Sequence, residues 1–472
     1  MREQGCSTLA VDVSGWCLDR LASLQSVVTE ERIRPALDQT GRVNLRRCRL
    51  SHEVMLWVVV AMGLFTNMPI RQVFKLCRRG RCGERTPGRS SLCEARQRLG
   101  VEPVRQRHAD LVRPWAAPDT PGAFYQGLRW MAIDGTVLDV PDSAANAAAF
   151  KRASGGRGEG AFPQVRKVSL VEIGTHVEVA LAIGGDQDGE QVLARQLFDR
   201  IPADALLTED RGFFGYEDWK DLDSRGIQRL ERLKSNLILK PIPQLADGSC
   251  LAKIYPSSDH RQKDRAGIVV RLIEDTLNDP QRTGHGEKHR LLTNLLDHEQ
   301  YPAQERIEGD HQRWEIELTF DEQKTHPDPI RAEKPANLRS ETPTGVCQEL
   351  YALSLGHFVI RTLMVEAARP LNLAPDRLSF TGGFPVVHRL LYRLLSSAEM
   401  PPARMPTSHA SILGPGVRRT AGRTPARTTP TPPQPHQPPR HQTQNGQMAQ
   451  ETPQTQIAST THQNLCRRHR YG

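Results

Sequence analysis

No CxxC pair occurs in the 472 residues, and the nine cysteines, an odd number, are scattered from Cys6 to Cys466. This excludes a secreted disulfide framework and a zinc ribbon as readings, and points to reduced thiols in the cytoplasm. Cys77 and Cys82 have no second ligand pair, and His462, Cys466 and His469 read as a chance cluster in the tail. No apolar run approaches the roughly 20 residues of a membrane span, so no membrane partner is expected. The longest run, Val54 to Phe65, is too short and too far inside the chain for a secretory leader. The glycine-rich stretch RASGGRGEG at 152–160 lacks the Gly-Lys-Ser/Thr of a P-loop, so it reads as a flexible basic loop.

Lysine is missing after Pro401, and acid nearly so. From there to Gly472 stand nine arginines and one acidic residue, Glu451. That stretch carries +8 of the formal +9, leaving the other 400 residues close to neutral. A sequence pI near 9.2 favours a polyanionic partner, but any nucleic-acid site in the body must come from local arrangement. The Pro, Thr, Gln, His and Arg composition of 401–472 cannot build a core and reads as a disordered basic tail that adds non-specific DNA affinity. The abrupt change of composition also fits an out-of-frame reading near codon 400, which the other two frames of the coding DNA would test.

What is present suggests two or three domains. Residues 18–37 look helical. Ser51 is placed to cap a helix with Glu53 in its first turn, running to Phe65. Asn67-Met68-Pro69 breaks it, and Ile70 to Arg78 resumes with Val73, Phe74 and Cys77 on one side. Ser90 to Leu99 makes a short helix carrying Arg96 and Arg98. Residues 1–120 therefore form a helical domain, a DNA end-binding module or a packing domain.

Strands are expected at Arg129–Ile133, Val165–Ile173, Val177–Ile183, Ala205–Thr208 and Ile227–Leu233, with helices at Gly189–Arg200 and Phe213–Leu222. The order strand, strand, strand, helix, strand, helix, strand is that of a ribonuclease-H-like α/β fold. There the first and fourth strands are neighbours, so Asp134 and Asp210 converge. Taken singly, Asp134 before Gly135 is a turn residue. Asp139 and Asp142 read as surface positions, and Asp186, Asp188 and Glu190 as caps.

The stretch Asp310 to Lys324, DHQRWEIELTFDEQK, supplies a third carboxylate. At helical spacing Asp310, Arg313, Glu317 and Lys324 share one face. That face is either a solvated ion-pair stripe or a metal-binding carboxylate flanked by cations for phosphate. Glu315 and Glu322 fall on another face and are expected to meet solvent. Three carboxylates, Asp134, Asp210 and Glu317, suit two divalent ions roughly 3.5–4 Å apart clamping a phosphodiester. Hard oxygen ligands indicate Mg²⁺ or Mn²⁺, two per active site.

Arg313, Glu317 and Lys324 match the Tyr-x2-Arg-x3-Glu-x6-Lys signature of the IS-four family, with Asp310 in the Tyr position. IDGT at 133–136 and LLTEDRGFFGYEDW at 206–219 resemble that family's two aspartate motifs. The chain thus resembles a DDE transposase of bacterial insertion sequences over residues 20 to 395. The resemblance implies a catalytic domain at 125–400 with a β-rich insertion at 234–307, whose strand-like runs are Leu237–Leu239, Gly267–Glu274 and His289–Leu296. It further implies a homodimer acting on double-stranded DNA, the paired inverted-repeat ends and then target DNA, in the bacterial cytoplasm at the nucleoid. Arg313 and Lys324 would bind DNA phosphates, with Arg331, Lys334 and Arg339 as further candidates. An inactive DNA-binding relative and a ribonuclease-H-like nuclease of another system are the alternatives. Gly345 to Ala368 is expected to be a long amphipathic helix against the sheet, and 386–395 the last apolar segment.

Overall fold

A computed structural model describes residues 30–44, 49–77, 86–155, 158–234, 237–239, 241–276, 288–325 and 338–385, with 387 and 389. The expectations for the tail, for most of 386–395, and for Arg331 and Lys334 lie outside the described residues.

The amino-terminal helices are α1 (Glu30–Gln39), α2 (His52–Leu64), α3 (Ile70–Cys77), α4 (Arg89–Leu99) and α5 (Glu102–Leu111). Ser51 caps α2 as expected, its Oγ accepting from the Val54 N–H at 3.3 Å. The α2 run of Met, Leu and Val is apolar on all sides because it meets another helix, α11 (Pro343–Ala368), as well as its own neighbours. Gly63 of α2 and Gly356 of α11 face each other at the crossing. A Cβ on Gly63 would overlap the Ala352 carbonyl, and one on Gly356 would overlap the backbone of Gly63. Only glycine lets the two backbones come this close.

Helix α11 departs from the amphipathic expectation. It is long and apolar enough to cross a bilayer, yet 78% of its most apolar window is buried inside the protein. Residues on several of its sides are covered at once, by α2 and α5 and by the edge of the sheet. Such a helix has no solvent stripe to make it amphipathic.

The sheet contains β1 (Leu128–Asp139), β2 (Arg152–Gly155), β3 (Gly158–Glu172), β4 (Val177–Gly185), β5 (Ala205–Glu209) and β6 (Gln228–Arg232), then β7 (Pro241–Gln244), β8 (Cys250–Ile254), β9 (Ile268–Thr276) and β10 (Lys288–Thr293). Helix α6 (Ala144–Phe150) follows β1, α7 (Glu190–Arg195) follows β4, and α8 (Tyr216–Ser224) follows β5. The strand order is β4, β3, β1, β5, β6, β10, β9, β8, β7, with β2 pairing the start of β3. Strands β1, β5 and β6 are parallel, whereas β3 and β4 run antiparallel to β1 and β3. This is a mixed α/β protein whose β4–β3–β1–β5–β6 segment fits a ribonuclease-H-like core.

Several local expectations change. The basic stretch at 152–160 is largely strand, because β2 folds back on β3. Asp134-Gly135 is not a turn: β1 runs on to Asp139, held by β3 through the pair Asp134↔Ser169. Leu237–Leu239 forms no strand. The insertion is β-rich, and its strand β10 pairs with β6, so it prolongs the main sheet.

Pleating sorts the two faces. Met131 and Ile133 of β1 join Ala205 and Leu207 of β5 in a core closed by Leu193 of α7, Leu222 of α8, and Leu355 and Phe358 of α11. On the opposite face Trp130, Ala132, Leu206 and Leu230 pack under Ile307, Ile316 and Phe320. Those last three come from helices α9 (Ala303–Gln312) and α10 (Glu315–Thr325). Gly309 lets α9 lie on Trp130, since a Cβ there would overlap the indole ring.

Candidate active site

Alternation carries the chemistry. Trp130, Ala132 and Asp134 share one side of β1, and Leu206, Thr208 and Asp210 share the same side of β5. The last parallel pair is Ile133↔Glu209, so Asp134 and Asp210 stand one step further along. Both lie just past the end of the parallel β1–β5 pairing, on the face that α9 and α10 cover. Glu317 lies in the first turn of α10, where the helix dipole favours an acid.

The helix expected across Asp310–Lys324 is interrupted. Arg313 and Trp314 form a turn between α9 and α10, with the Arg313 carbonyl accepting from Ile316 N at 3.1 Å. Glu317 and Lys324, seven residues apart in α10, still share a face, but Arg313 reaches the same place from the turn. Its Nη1 lies 3.4 Å from Asp134 Oδ2, with the Arg313 side chain 5% exposed. Its Nε is buried without a partner among the described residues. The side chain of Asp310 lies outside what is described.

Asp134 is the electrostatic centre. Its side chain is 19% exposed, and Oδ1 accepts from the Gly135 N–H at 2.7 Å. Burial pushes its carboxyl up to about 6, with Asp210 and Glu317 pushing the same way and Arg313 and the Gly135 N–H opposing. Asp134 therefore lies within electrostatic reach of both other expected carboxylates. Lys324 donates from Nζ to Thr136 Oγ1, two residues beyond Asp134 on the same side of β1. Burial lowers its pKa, Lys167 adds to this, and Asp321 opposes it.

Beneath Asp210, Glu209 points into the opposite layer and meets the buried Arg229 of β6, Nη2 to Oε2 at 2.5 Å. The Arg229 guanidinium also lies 4.7 Å from the Trp219 ring centroid. The Asp210 carbonyl accepts from Phe213 N at 2.9 Å, closing the turn into α8.

Glu315 and Glu322 do not meet solvent as expected. Glu322 is 8% exposed and Glu315 half-buried, because α10 turns that side toward His176 and α11. Asp188 does not cap α7, whose N-cap is Gly189; its Oδ2 accepts from Gly185 N at 2.7 Å, closing the turn after β4. Glu190 sits in the first turn of α7 behind the site: a Cβ on Gly135 would come within 2.8 Å of its Oε1. The Arg339 guanidinium is tied to the Met68 carbonyl at 2.9 Å. Arg96, expected at a basic edge, is buried instead, donating to Gln348, Ser340 and the Gly345 carbonyl around the start of α11.

Residues that went unnoticed in the sequence lie next to this centre. Lys167 of β3 donates to Glu178 of β4 at 2.7 Å and to Gln323 of α10 at 2.5 Å, all three buried. Their signal was a charge inside an otherwise apolar strand: Lys167 in VRKVSLVE and Glu178 in VEVALA. His357 and Arg361, one turn apart in the apolar α11, carried the same signal.

The family scan accords with this arrangement. A model described as the transposase DDE domain matches residues 126–340, and the insertion element 4 transposase amino-terminal model matches residues 18–107. The class is therefore a DDE transposase, a DNA-binding enzyme that acts at insertion sequences and depends on a divalent metal ion. More particularly, the chain belongs to the insertion element 4 transposase family. It is 30% identical over 398 residues to the transposase InsG for insertion sequence element IS4 of Escherichia coli K12, covering 82% of this chain and 86% of that one. Among solved structures, a cryo-EM piggyBac transposase synaptic complex with hairpin DNA covers 82% of this chain and 85% of its own. Its TM-score is 0.36 at 10% identity.

The donor set fits a hard divalent ion. The groups that converge are carboxylates, with no thiol or imidazole among those acting on Asp134. The like-charge pressure on Asp134 is what a cation relieves. Among the described residues, no three His, Cys, Asp or Glu side chains cluster tightly enough to hold an ion by themselves.

Proposed function

We propose that Asp134, Asp210 and Glu317 hold the metal ions of this transposase, and that Arg313 and Lys324 grip phosphates beside the scissile bond. The observation that supports this reading is the register of β1 and β5, which sets two aspartates side by side beneath the helix that carries Glu317. Two Mg²⁺ or Mn²⁺ ions bound there would supply activation of a water and charge stabilisation of the leaving 3′ oxygen. Asp134 must be ionised to take part, and the Gly135 N–H fixes its carboxylate orientation. Arg313, held in the turn before α10, presents a guanidinium that can move from Asp134 to a phosphate oxygen. Lys324, resting on Thr136, adds a second cation along the same face.

The substrate is double-stranded DNA, the inverted-repeat ends of the element. Cleavage exposes a 3′-OH that attacks the opposite strand and then target DNA, so that cut-and-paste transposition proceeds as in-line transesterifications. A homodimer on paired ends is the working assembly, in the bacterial cytoplasm at the nucleoid. Residues 1–120 bind the transposon end, and the insertion at 234–307 contacts it and shapes the hairpin step within the catalytic domain at 125–400. The tail at 401–472 adds non-specific affinity.

The test is metal-dependent cleavage of DNA bearing the element's own inverted repeat, comparing wild type with Glu317→Gln. Loss of cleavage with DNA binding kept is the expected result. Cleavage surviving in the variant would mean that the third carboxylate lies elsewhere. Binding without cleavage in both would make the chain a repressor, the outcome that Asp310 in the Tyr position favours.

A further inference from the structure

Helix α10 is 11 residues long and separated from α9 by the turn at Arg313–Trp314. A helix this short holds its place through tertiary contacts, not through its own propensity. At about 100° per residue, Glu317 and Lys324 lie within about 20° of each other around its axis, whereas Glu322 lies about 140° from Glu317. The side away from the carboxylates is thus the one that Glu322 occupies, and it is there that a buried charge cluster takes hold.

Glu322 receives both arms of one guanidinium: Arg361 Nε donates to its Oε2 at 2.8 Å and Arg361 Nη2 to its Oε1. His357, one turn before Arg361 on α11, donates from Nε2 to the same Oε2 at 2.9 Å. His176, in the turn between β3 and β4, lies with Nδ1 against both Arg361 Nη2 and Glu322 Oε1, the latter at 3.1 Å, and with Nε2 3.0 Å from Glu315 Oε2. Gln323 adds a second tie, donating to Glu178 Oε2 at 3.1 Å and accepting from Lys167. Two consecutive residues just before Lys324 are therefore anchored to a strand edge and to the central helix. None of these groups touches Asp134 or Asp210.

We infer that the Glu322–Arg361 pair is a positioning device for catalysis. By pinning the far side of α10, it sets the rotation of the helix at which Glu317 faces Asp134 and Lys324 reaches Thr136. The bidentate geometry suits this role, because a planar fork fixes orientation as well as distance, which a lysine or a shortened acid does not. The inference rests on the proposed assignment of Glu317 as a metal-holding carboxylate. Supporting groups behind metal ligands typically change metal affinity or activity by about 10–100-fold when altered.

The experiment compares full-length wild type, Glu322→Asp, Arg361→Lys and Glu317→Gln, each bound to inverted-repeat DNA. Mn²⁺ binding is titrated by electron paramagnetic resonance, with melting temperature and end-binding affinity measured in parallel. Both charge-conserving variants keep the buried pair balanced. The expected result is Mn²⁺ binding weakened about tenfold in Glu322→Asp and in Arg361→Lys, with end binding unchanged and the fold retained. Wild-type Mn²⁺ affinity in both would overturn the inference, and so would unfolding of both, since the cluster would then serve the whole fold and not α10. Glu317→Gln separates the two claims. If it binds Mn²⁺ as wild type does, the carboxylate assignment fails. If it loses binding while Glu322→Asp and Arg361→Lys do not, only the positioning role fails.

Discussion

Replacing Asp134 with Asn should stabilise the metal-free protein. The folded state raises this carboxyl from 3.8 to about 6, chiefly through burial, with Asp210 and Glu317 adding. That interval corresponds to about 3 kcal/mol, and with the side chain 19% exposed it needs little discount for solvent screening. A carboxyl whose folded pKa is raised contributes stability that is fully present below its unfolded value and lost as pH rises through the folded one. Wild type should therefore lose about 3 kcal/mol at this site between about pH 4 and pH 7, whereas the amide, which cannot ionise, loses nothing. For a chain of 472 residues this amounts to a melting temperature about 3 °C higher for Asp134→Asn at pH 8 and no higher at pH 4. Calorimetry in chelator across that range reads the difference between the two proteins. A difference that does not vary with pH would refute the reasoning, and so would a less stable Asn variant at pH 8. The latter would mean that the Arg313 ion pair outweighs burial. Saturating Mn²⁺ should reverse the order, because only wild type offers the third carboxylate.

Other outcomes follow from the same contacts. Three buried imidazoles, His108 and His176 at about 4 and His357 at about 3, are held low mainly by burial. Their lowered values mean that stability is lost as pH falls from about 6.5 toward 4 in every variant, which circular dichroism during acid titration would follow. Glu172→Ala should cost about 3–5 kcal/mol in urea unfolding, since the fully buried carboxylate accepts from Trp115 N at 2.8 Å, Ala116 N at 2.9 Å and Arg129. Gly356→Ala should cost about 3 kcal/mol or more by the same assay, because its methyl would overlap the backbone of Gly63. Lys324→Met should slow end cleavage about 100-fold with end binding kept; an unchanged rate would remove Lys324 from the phosphate-binding role.

The strands of the core were legible because each is a short apolar or alternating run between turn residues, and their order alone brought Asp134 and Asp210 to neighbouring strands. Ser51 was legible as a cap because local chemistry decides it. The break at Arg313–Trp314 was not: nothing in DHQRWEIELTF is a helix breaker, and the turn arises where α9 must settle on Trp130 while α10 settles on the sheet beyond. Glu317 and Lys324 keep the shared face that the spacing implies, whereas Arg313 reaches Asp134 from the turn and not from the helix. Glu315 and Glu322 were misread for a related cause. A charge on the second face of a helix reads as solvated unless its partner is known, and Arg361 lies 39 residues away. Helix α11 looked amphipathic because its polar residues recur, but Arg361, His357 and Ser354 are polar residues of a buried helix that meet other buried polar groups.

These misreadings share one physical origin. The proposed site, with its three carboxylates, must hold them against mutual repulsion, and the sequence advertises the carboxylates but not what restrains them. In this fold the restraint comes from oppositely charged groups in the layers around the site. Arg313 lies over Asp134 and Arg229 lies behind Asp210 on Glu209, while Arg361 bonds Glu322 of α10 and Lys167, paired with Glu178, bonds Gln323 of α10. Each is a cation buried beside an acid, an arrangement that adds little net stability and is costly to break from one side. Its contribution is geometric, since a buried hydrogen-bonded pair restricts the arrangement of the elements that carry it. The cations behind the carboxylates should therefore be the positions where conservative exchange, Arg to Lys or Glu to Asp, leaves the protein folded and alters how it holds metal.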